Sequence, residues 1–207
     1  MVAAEKFWDK KAQGYAASPI SNMDVYNHTL AQTRAYLNAS DRVLEVGCGT
    51  GSTALLLADS VEHITGSDIS GNMIQIAKDK VTAQQVANVD FVQGTLDDGA
   101  LGADGYDAVL AFNILHLLDD LPSAIGQIHK RLKPGSYFIS KTVVLGEGSF
   151  LWRLAIPVMR LVGLAPPVQS LRRADLDAAI VGAGFEIVET HDYPGSFSTR
   201  FVVAQKT

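Results

Sequence analysis

The sequence predicts an α/β fold, in which a doubly wound, mainly parallel sheet of seven strands has an antiparallel last strand. Three observations predict this fold. Apolar strand-like segments alternate with helix-like segments along the chain. Residues 43–51, VLEVGCGTG, have the pattern of a buried strand that runs into a glycine turn and opens a helix. Near the end of the chain, a short link with Pro194 and Gly195 joins two strand-like segments and indicates an antiparallel hairpin.

The elements can be assigned in order from the apolar pattern and the turn residues. We expect strands near residues 42–47, 62–68, 89–94, 105–112 and 136–144, and helices near residues 51–60, 71–86 and 120–132. Pro134 and Gly135 are expected to end the third of these helices, since such a pair is a common terminator. Residues 171–184 predict a further helix, which is followed by strands at 185–191 and 201–206.

Two segments lie outside this alternating core, and both are expected to belong to one domain that spans residues 1–207. Residues 1–40 predict a helical cap of two helices. Residues 146–168 form an insertion after the fifth strand, and a helical projection places their leucines and valines on one broad face. That pattern suits a surface helix packed on the domain or a lid over an apolar pocket, and both interpretations stay open.

Charge and composition exclude several classes of protein. The formal charge of −5 and the absence of a basic run argue against nucleic-acid binding. Cys48 is the single cysteine, so no intrachain disulfide and no cysteine-based zinc site can form, and we expect no metal. No run reaches the roughly 18 apolar residues of a membrane span, and Arg153 and Arg160 make too thin a basic face for peripheral lipid contact. We therefore expect a cytoplasmic protein.

The glycine loop is the strongest functional signal. Gly47, Gly49 and Gly51 permit positive φ angles and let a ligand approach the backbone N–H groups at the start of a helix. Asp68 follows the loop by about 20 residues, at the end of the second predicted strand, where a carboxylate can accept hydrogen bonds from both hydroxyls of a ribose. These residues predict a nucleotide-type cofactor, and by themselves they leave its identity open.

Four sequence segments narrow that choice by resemblance. They are VLEVGCGTG (43–51), GSDIS (66–70), YDAVLAFNILHLLDD (106–120) and RLKPGSYFIS (131–140). In this order and spacing they resemble the class I S-adenosylmethionine-dependent methyltransferases over about residues 40–145. Glu45 looks like the motif acid of that family, which lies near the methionine end of the cofactor, whereas dinucleotide-binding loops usually have an apolar residue there. The resemblance implies a Rossmann-like methyltransferase fold, S-adenosylmethionine as cofactor and a small-molecule methyl acceptor.

The resemblance also implies a set of site residues. The glycine loop would hold the methionyl and ribose parts of the cofactor, and the residues after the second strand would cover one face of the adenine. Thr95 stands where the family usually has an acid for the adenine amino group, so Thr95, the backbone at Leu96 or the carboxylate of Asp97 would replace that acid. The implied cofactor-binding residues are Tyr15, Glu45, Gly47, Cys48, Gly49, Gly51, Asp68, Ile69, Met73, Thr95, Leu96 and Asn113.

The histidines are the candidates for proton transfer. His116 follows the fourth predicted strand, where the family brings acceptor and cofactor together, and it is our candidate catalytic base, with a role in the pocket wall as the alternative. His28 and His191 are possible pocket residues, whereas His63 and His129 are expected to be structural. Cys48 is better explained as a small residue that fits a crowded turn than as a nucleophile.

The sequence thus predicts S-adenosylmethionine-dependent methyl transfer by in-line displacement to a small, hydrophobic or aromatic acceptor. Two alternatives remain, a nicotinamide-dependent Rossmann reductase and a catalytically silent regulatory subunit that binds the cofactor. The sequence does not determine the acceptor, the atom that is methylated or the oligomeric state.

Overall fold

The computed structural model describes residues 2–97, 99–101, 105–147, 168–195 and 198–207. Its strands are β1 (Arg42–Val46), β2 (His63–Asp68), β3 (Val89–Gln93), β4 (Tyr106–Phe112), β5 (Leu132–Val143), β6 (Phe185–Tyr193) and β7 (Thr199–Lys206). Its helices are α1 (Val2–Ala17), α2 (Met23–Arg34), α3 (Ser52–Leu57), α4 (Gly71–Gln84), α5 (Leu121–Arg131) and α6 (Arg173–Gly182).

The strands form a seven-stranded sheet in the order β3-β2-β1-β4-β5-β7-β6. Strands β1 to β5 pair in parallel, whereas β7 is antiparallel to both of its neighbours, β5 and β6. The predicted fold class is therefore confirmed. The strand order reverses between β1 and β4, and in such sheets the crevice beyond the carboxyl ends of these two strands is the usual place for a ligand.

Helices cover both faces of the sheet, which explains why its central strands are apolar on both sides. On one face, α5 and α6 contribute Ile125, Ile128 and Leu176 to a core with Phe138. On the other face, α2, α3 and α4 pack around Leu57 and the strands. Within the described ranges, no helix combines the length and the apolar character that crossing a bilayer requires.

The end of α5 differs from the prediction. The helix stops at Arg131, and Pro134 and Gly135 lie inside β5 rather than at a helix terminus. Tyr106 pairs with Leu132 and Ala108 with Tyr137, so the register shifts where the Pro-Gly pair bulges out of the ladder. Proline restricts the residue before it to extended backbone, which favours strand rather than helix at this point. The predicted insertion, residues 146–168, lies outside the described residues except at its two ends.

Candidate active site

A cavity of about 330 Å³ opens at the carboxyl edge of the sheet, next to the switch point between β1 and β4. Its walls come from the glycine loop, the segments that follow β2, β3 and β4, the start of α5, and helix α1. Protein pockets for small ligands typically have volumes of about 300–1,000 Å³. The cavity is therefore large enough for a nucleotide-sized ligand.

Backbone conformation and packing both require glycine in the loop. Gly47 and Gly51 have φ angles of +68° and +74°. A Cβ atom on Gly47 would lie 2.6 Å from Ile114 Cγ1, and one on Gly51 would lie 2.4 Å from Phe91 Cζ. Gly47 and Gly49 both lie on the cavity wall, and Tyr15 is the side chain nearest to a Cβ atom placed on Gly49. The loop thus packs tightly at Gly47 and Gly51 and presents its backbone to the cavity at Gly47 and Gly49.

Lys80 of α4 holds this loop from below. Its Nζ donates hydrogen bonds to the carbonyl oxygen of Thr50 at 2.9 Å, to Thr50 Oγ1 at 3.0 Å and to Ser52 Oγ at 2.9 Å. Burial lowers the pKa of the Lys80 ammonium. Lys80 was not predicted as a site residue, because nothing local in the sequence connects it with a loop about 30 positions earlier. The lysine fixes the shape of the loop without facing the cavity.

Asp68 lies on the cavity wall and is held by two backbone amides. Its Oδ2 accepts a hydrogen bond from Gly49 N–H at 3.0 Å, and its Oδ1 accepts one from Ser70 N–H at 2.9 Å. Burial raises the pKa of this carboxyl, and the two amide hydrogen bonds partly oppose the shift. Each carboxylate oxygen has a second lone pair, so Asp68 can still accept hydrogen bonds from two ligand hydroxyls.

Glu45 is buried at the end of β1, with 2% of its surface exposed. Its Oε2 has no hydrogen-bond partner among the described residues. Burial raises the pKa of the carboxyl to about 8, and the nearby Asp68 carboxylate adds to the shift. A buried acceptor without a partner is costly, and a ligand cation such as an ammonium or sulfonium would offset that cost. The residues present therefore fit the cationic methionyl part of S-adenosylmethionine.

Helix α1 closes the cavity from above. Asp9 Oδ1 accepts hydrogen bonds from Ser70 Oγ at 2.6 Å and from Asn72 N–H at 3.1 Å, which places a carboxylate at the N-terminus of α4. Trp8 and Tyr15 of the same helix contribute to the cavity wall. The pKa of Tyr15 is raised by partial removal from solvent and then by the Asp68 and Glu45 carboxylates. Tyr15 is nevertheless 54% exposed, so it lies at the mouth of the cavity.

The part of the cavity beyond β2 and β3, where we expect adenine, has apolar walls and one acid besides Asp68. Ile69, Met73 and Leu96 supply apolar surface there, and Thr95 lies beside them on the wall. Asp97 also lines the cavity, and its Oδ1 accepts a hydrogen bond from Gln127 of α5. All three expected replacements for the missing family acid, Thr95, Leu96 and Asp97, thus border the same space.

The end of β4 supplies the opposite wall. Asn113 has a φ of +57°, which is rare for a residue other than glycine, and its N–H donates to the carbonyl oxygen of Lys141 at 2.7 Å. Strained backbone of this kind concentrates at functional sites. His116 follows shortly after, but its side chain is not part of the cavity wall. Its Nδ1 is buried without a hydrogen-bond partner among the described residues, and burial lowers its pKa to about 4.

The structure separates the predicted site residues into two groups. Those on the cavity wall are Tyr15, Gly47, Gly49, Asp68, Ile69, Met73, Thr95, Leu96 and Asn113. Glu45, Cys48 and Gly51 lie behind the wall instead, and Cys48 packs into the core as a small buried residue.

The other histidines lie away from the cavity. His28 Nδ1 is 2.7 Å from the hydroxyl of Tyr193, and the rings of His28 and His191 are 5.3 Å apart between α2 and the sheet. These two histidines were possible pocket residues, and the cavity does not include them. His63 forms an ion-pair contact with Asp90 on the neighbouring strand, as expected for a structural role.

Some residues of the cavity wall were not predicted from the sequence. Phe112, Leu117 and Gln127 line the space together with the predicted residues. The sequence did contain a signal for the wall at the start of α5, since an aspartate is a typical N-cap residue. Asp120 Oδ1 accepts a hydrogen bond from Ser123 N–H and so caps that helix beside the cavity. Across the part of the chain that the structure describes, no three His, Cys, Asp or Glu side chains are grouped to hold a metal ion.

Known proteins share this sequence pattern and fold. A family model described as "Methyltransferase domain" matches residues 43–135. The O-methyltransferase rstn1 of Aspergillus nomiae is 29% identical over 153 residues, which cover 73% of this chain and 67% of that protein. The demethylmenaquinone methyltransferase of Leptospira interrogans is 33% identical over 121 residues, which cover 56% of this chain and only 49% of that protein.

A solved structure covers more of the chain. Magnesium protoporphyrin IX methyltransferase of Synechocystis, with SAH bound, superposes with a TM-score of 0.75 over 100% of this chain and 99% of that one. At 18% identity this likeness concerns the fold alone. The family match and the relatives thus make this chain similar in sequence to methyltransferases, and the superposition shows that it shares the fold of one of them.

Proposed function

We propose that this chain binds S-adenosylmethionine in the cavity at the carboxyl edge of the sheet and transfers its methyl group to a small hydrophobic or aromatic acceptor. One observation carries the proposal. The same cavity combines a glycine-loop backbone, the wall-lining carboxylate of Asp68 and, directly behind the wall, the buried carboxyl group of Glu45, whose Oε2 has no hydrogen-bond partner among the described residues. The pyrophosphate of a dinucleotide is negatively charged, so a pocket that binds it would not be expected to hold two buried acids.

The cofactor position follows from the wall residues. Asp68 would accept hydrogen bonds from the ribose hydroxyls, and Gly47 and Gly49 would lie against the ribose and methionyl parts. Tyr15 would close over the methionyl carboxylate from the mouth of the cavity. Adenine would lie against the apolar surface of Ile69, Met73 and Leu96, with Thr95 and Asp97 at its polar edge. The carboxyl groups of Asp68 and Glu45, near the methionyl end, would stabilise the positive charge of the bound cofactor.

The bound cofactor supplies a methyl group on a positively charged sulfur, which leaves as a neutral thioether. The chain contributes alignment and exclusion of water, and these two effects provide much of the acceleration in a displacement of this kind. Phe112, Ile114 and Leu117 would form the apolar wall on the acceptor side. A base is needed only where the acceptor must lose a proton. His116, the candidate from the sequence, is neutral at pH 7, but its side chain is not on the cavity wall and would have to turn towards the acceptor to take that proton.

Calorimetry with S-adenosylmethionine, S-adenosylhomocysteine and NADH tests the cofactor assignment. We expect both methionine-derived ligands to bind and NADH to give no heat. Binding of NADH without a response to the other two would instead favour a nicotinamide-dependent reductase.

Turnover needs a separate assay, because a catalytically silent subunit would also bind the cofactor. We expect formation of S-adenosylhomocysteine when a panel of phenols, carboxylic acids and amines is supplied with S-adenosylmethionine. If the cofactor binds but no acceptor in a broad panel yields this product, the regulatory-subunit alternative is favoured.

A further inference from the structure

Lys141 of β5 lies next to the acceptor side of the cavity. Its Cα pairs with that of Phe112 in the parallel ladder between β5 and β4, and paired residues of neighbouring strands direct their side chains to the same face. Phe112 is part of the cavity wall. The carbonyl oxygen of Lys141 also accepts the hydrogen bond from the strained Asn113 N–H. The lysine is therefore one strand beyond the residues that face the transferred methyl group.

The ammonium of Lys141 has an aromatic neighbour and no anionic one. Its Nζ is 5.4 Å from the centre of the Tyr193 ring, and the structure shows no hydrogen bond or carboxylate within reach of it among the described residues. Its side chain is partly buried, and that burial lowers its pKa without an opposing contribution from any acid. The ammonium is thus partly removed from water without receiving a counter-charge.

Other partly buried lysines show what a purely structural arrangement looks like in this fold. Lys80 donates to three oxygens of the glycine loop. Lys206 donates to the carbonyl oxygens of His129 at 2.7 Å and Leu132 at 2.8 Å, and even the exposed Lys133 pairs with Asp107. Lys141 differs from all of these, and although it is not itself on the cavity wall, it is the one of the four that pairs with a wall residue, Phe112.

The charged residues of the cavity wall give an anionic group no partner inside it. Asp68, Asp97, Asp119 and Asp120 line the cavity, and among the described residues no lysine or arginine lies on its wall, so a negatively charged group of an acceptor would be repelled there. At the β4–β5 edge it would instead meet the unpaired ammonium of Lys141. Pairing a partly desolvated ammonium with an anion recovers part of the cost of its burial.

We propose that Lys141 binds a negatively charged group of the methyl acceptor, a carboxylate or a phosphate, while the aromatic or apolar part of the acceptor lies against Phe112. This inference rests on the proposed function and narrows its substrate class to anionic acceptors. Lys141 acts as a specificity-determining residue, and the transfer itself needs no proton from it.

The test uses small probes of matched shape. Benzoate, phenyl phosphate and the neutral benzamide are titrated by calorimetry or ligand-observed NMR into the full chain saturated with S-adenosylhomocysteine. We expect at least one of the two anions to bind the wild type about tenfold more tightly than benzamide, as one charge-assisted contact allows. Whichever anion binds more tightly distinguishes a carboxylate acceptor from a phosphate one.

Three variants identify the residue responsible. Lys141→Met keeps the length of the side chain and should abolish the preference for the anion, whereas Lys141→Arg should retain most of it. Lys133→Met removes a lysine from the opposite end of the same strand and should leave the preference unchanged. Thermal unfolding of each variant confirms that it is folded.

Two results would overturn the inference. Equal or undetectable binding of the anions and benzamide to the wild type would show that no anion site exists. An anion preference that survives Lys141→Met would place the site elsewhere, and Lys141 would then only extend its stem over Tyr193 towards water. Binding of S-adenosylhomocysteine is measured in the same samples, so failure of the proposed function is recognised separately.

Discussion

The two sides of the cavity are built differently. On the β1–β2 side the charged groups are held in place, since Asp68 accepts from two backbone amides, Lys80 donates to three oxygens and Asp9 joins α1 to α4. On the β4–β5 side, His116 Nδ1 and the ammonium of Lys141 have no partner among the described residues. Apart from Glu45 Oε2, the polar groups named on the first side have their partners within the chain, whereas those on the second side do not.

This difference indicates which side of the cavity suits the cofactor, the ligand that is the same in every turnover. A fully hydrogen-bonded frame is pre-organised and costs little to bind against, which suits a cofactor that every turnover uses. Unpaired polar groups cost folding free energy and are retained where a ligand pairs with them. The exception on the first side is Glu45 Oε2, which lies where the cationic part of the cofactor is proposed to bind.

The largest expected effect is on stability, and it comes from a substitution in the glycine loop on the β1–β2 side. Gly51→Ala should lower the free energy of unfolding by about 2–4 kcal/mol, because the new Cβ meets Phe91 and the residue must keep a positive φ. Gly126→Ala, in the middle of α5 with open space around it, is the matched control and should be neutral or slightly stabilising. Urea denaturation of both variants measures the difference, and equal stability of the two would contradict this packing argument.

The next effect concerns cofactor binding on the same side. Asp68→Ala should weaken the binding of S-adenosylhomocysteine by about 1–3 kcal/mol, through loss of ribose hydrogen bonds and of the contact that holds Gly49 N–H. Asp90→Ala removes an exposed acid from the neighbouring strand and should leave the affinity unchanged. Calorimetry compares the two variants, and an unaltered affinity in folded Asp68→Ala would remove this residue from the site.

The pH dependence of stability tests the role of Glu45, whose Oε2 is the unpartnered atom on the β1–β2 side. Because its pKa rises from 4.5 to about 8, the folded protein keeps a proton that the unfolded chain has already lost between these two values. The stability that this neutral carboxyl contributes is complete below the lower value and is lost as the pH rises towards the upper one, by up to about 1.4 kcal/mol per pH unit. Glu45→Gln should flatten this dependence.

Denaturation curves of wild type and Glu45→Gln across that window check the slope. S-Adenosylhomocysteine should stabilise the wild type more at the alkaline end, where the carboxylate is charged. A wild-type stability that rises with pH through the window would show that Glu45 is ionised in the free protein.

The smallest expected effect is on cofactor affinity, and it concerns His116 on the β4–β5 side. His116→Gln should change the affinity for S-adenosylhomocysteine by less than about 0.5 kcal/mol, because its side chain is not on the cavity wall. Its pKa of about 4 also predicts that it causes no step in the pH dependence of the methyl-transfer rate near neutrality. A large loss of cofactor affinity in this variant would mean that the two sides are not independent.

Local patterns in the sequence were sufficient to predict the fold, and they also named residues that line the cavity. The strand before the glycine loop, Gly47 and Asp68 all have short-range signals, and the structure places Gly47 and Asp68 on one cavity wall. Lys80 and Lys141 could not be assigned in this way, since their roles depend on packing between distant segments. The Pro134-Gly135 pair was misread because a proline stops a helix and also permits a bulge in a strand, and only the pairing partners distinguish these outcomes.

The position of β7 has a consequence for how the chain folds. β7 follows β6 in sequence but lies between β6 and β5 in the sheet. Until β7 has paired, β6 has no neighbour in the sheet and β5 has an open edge, so both can pair with other chains. A chain truncated just before Thr199 would therefore carry the whole β1–β2 side of the site and yet be prone to aggregate.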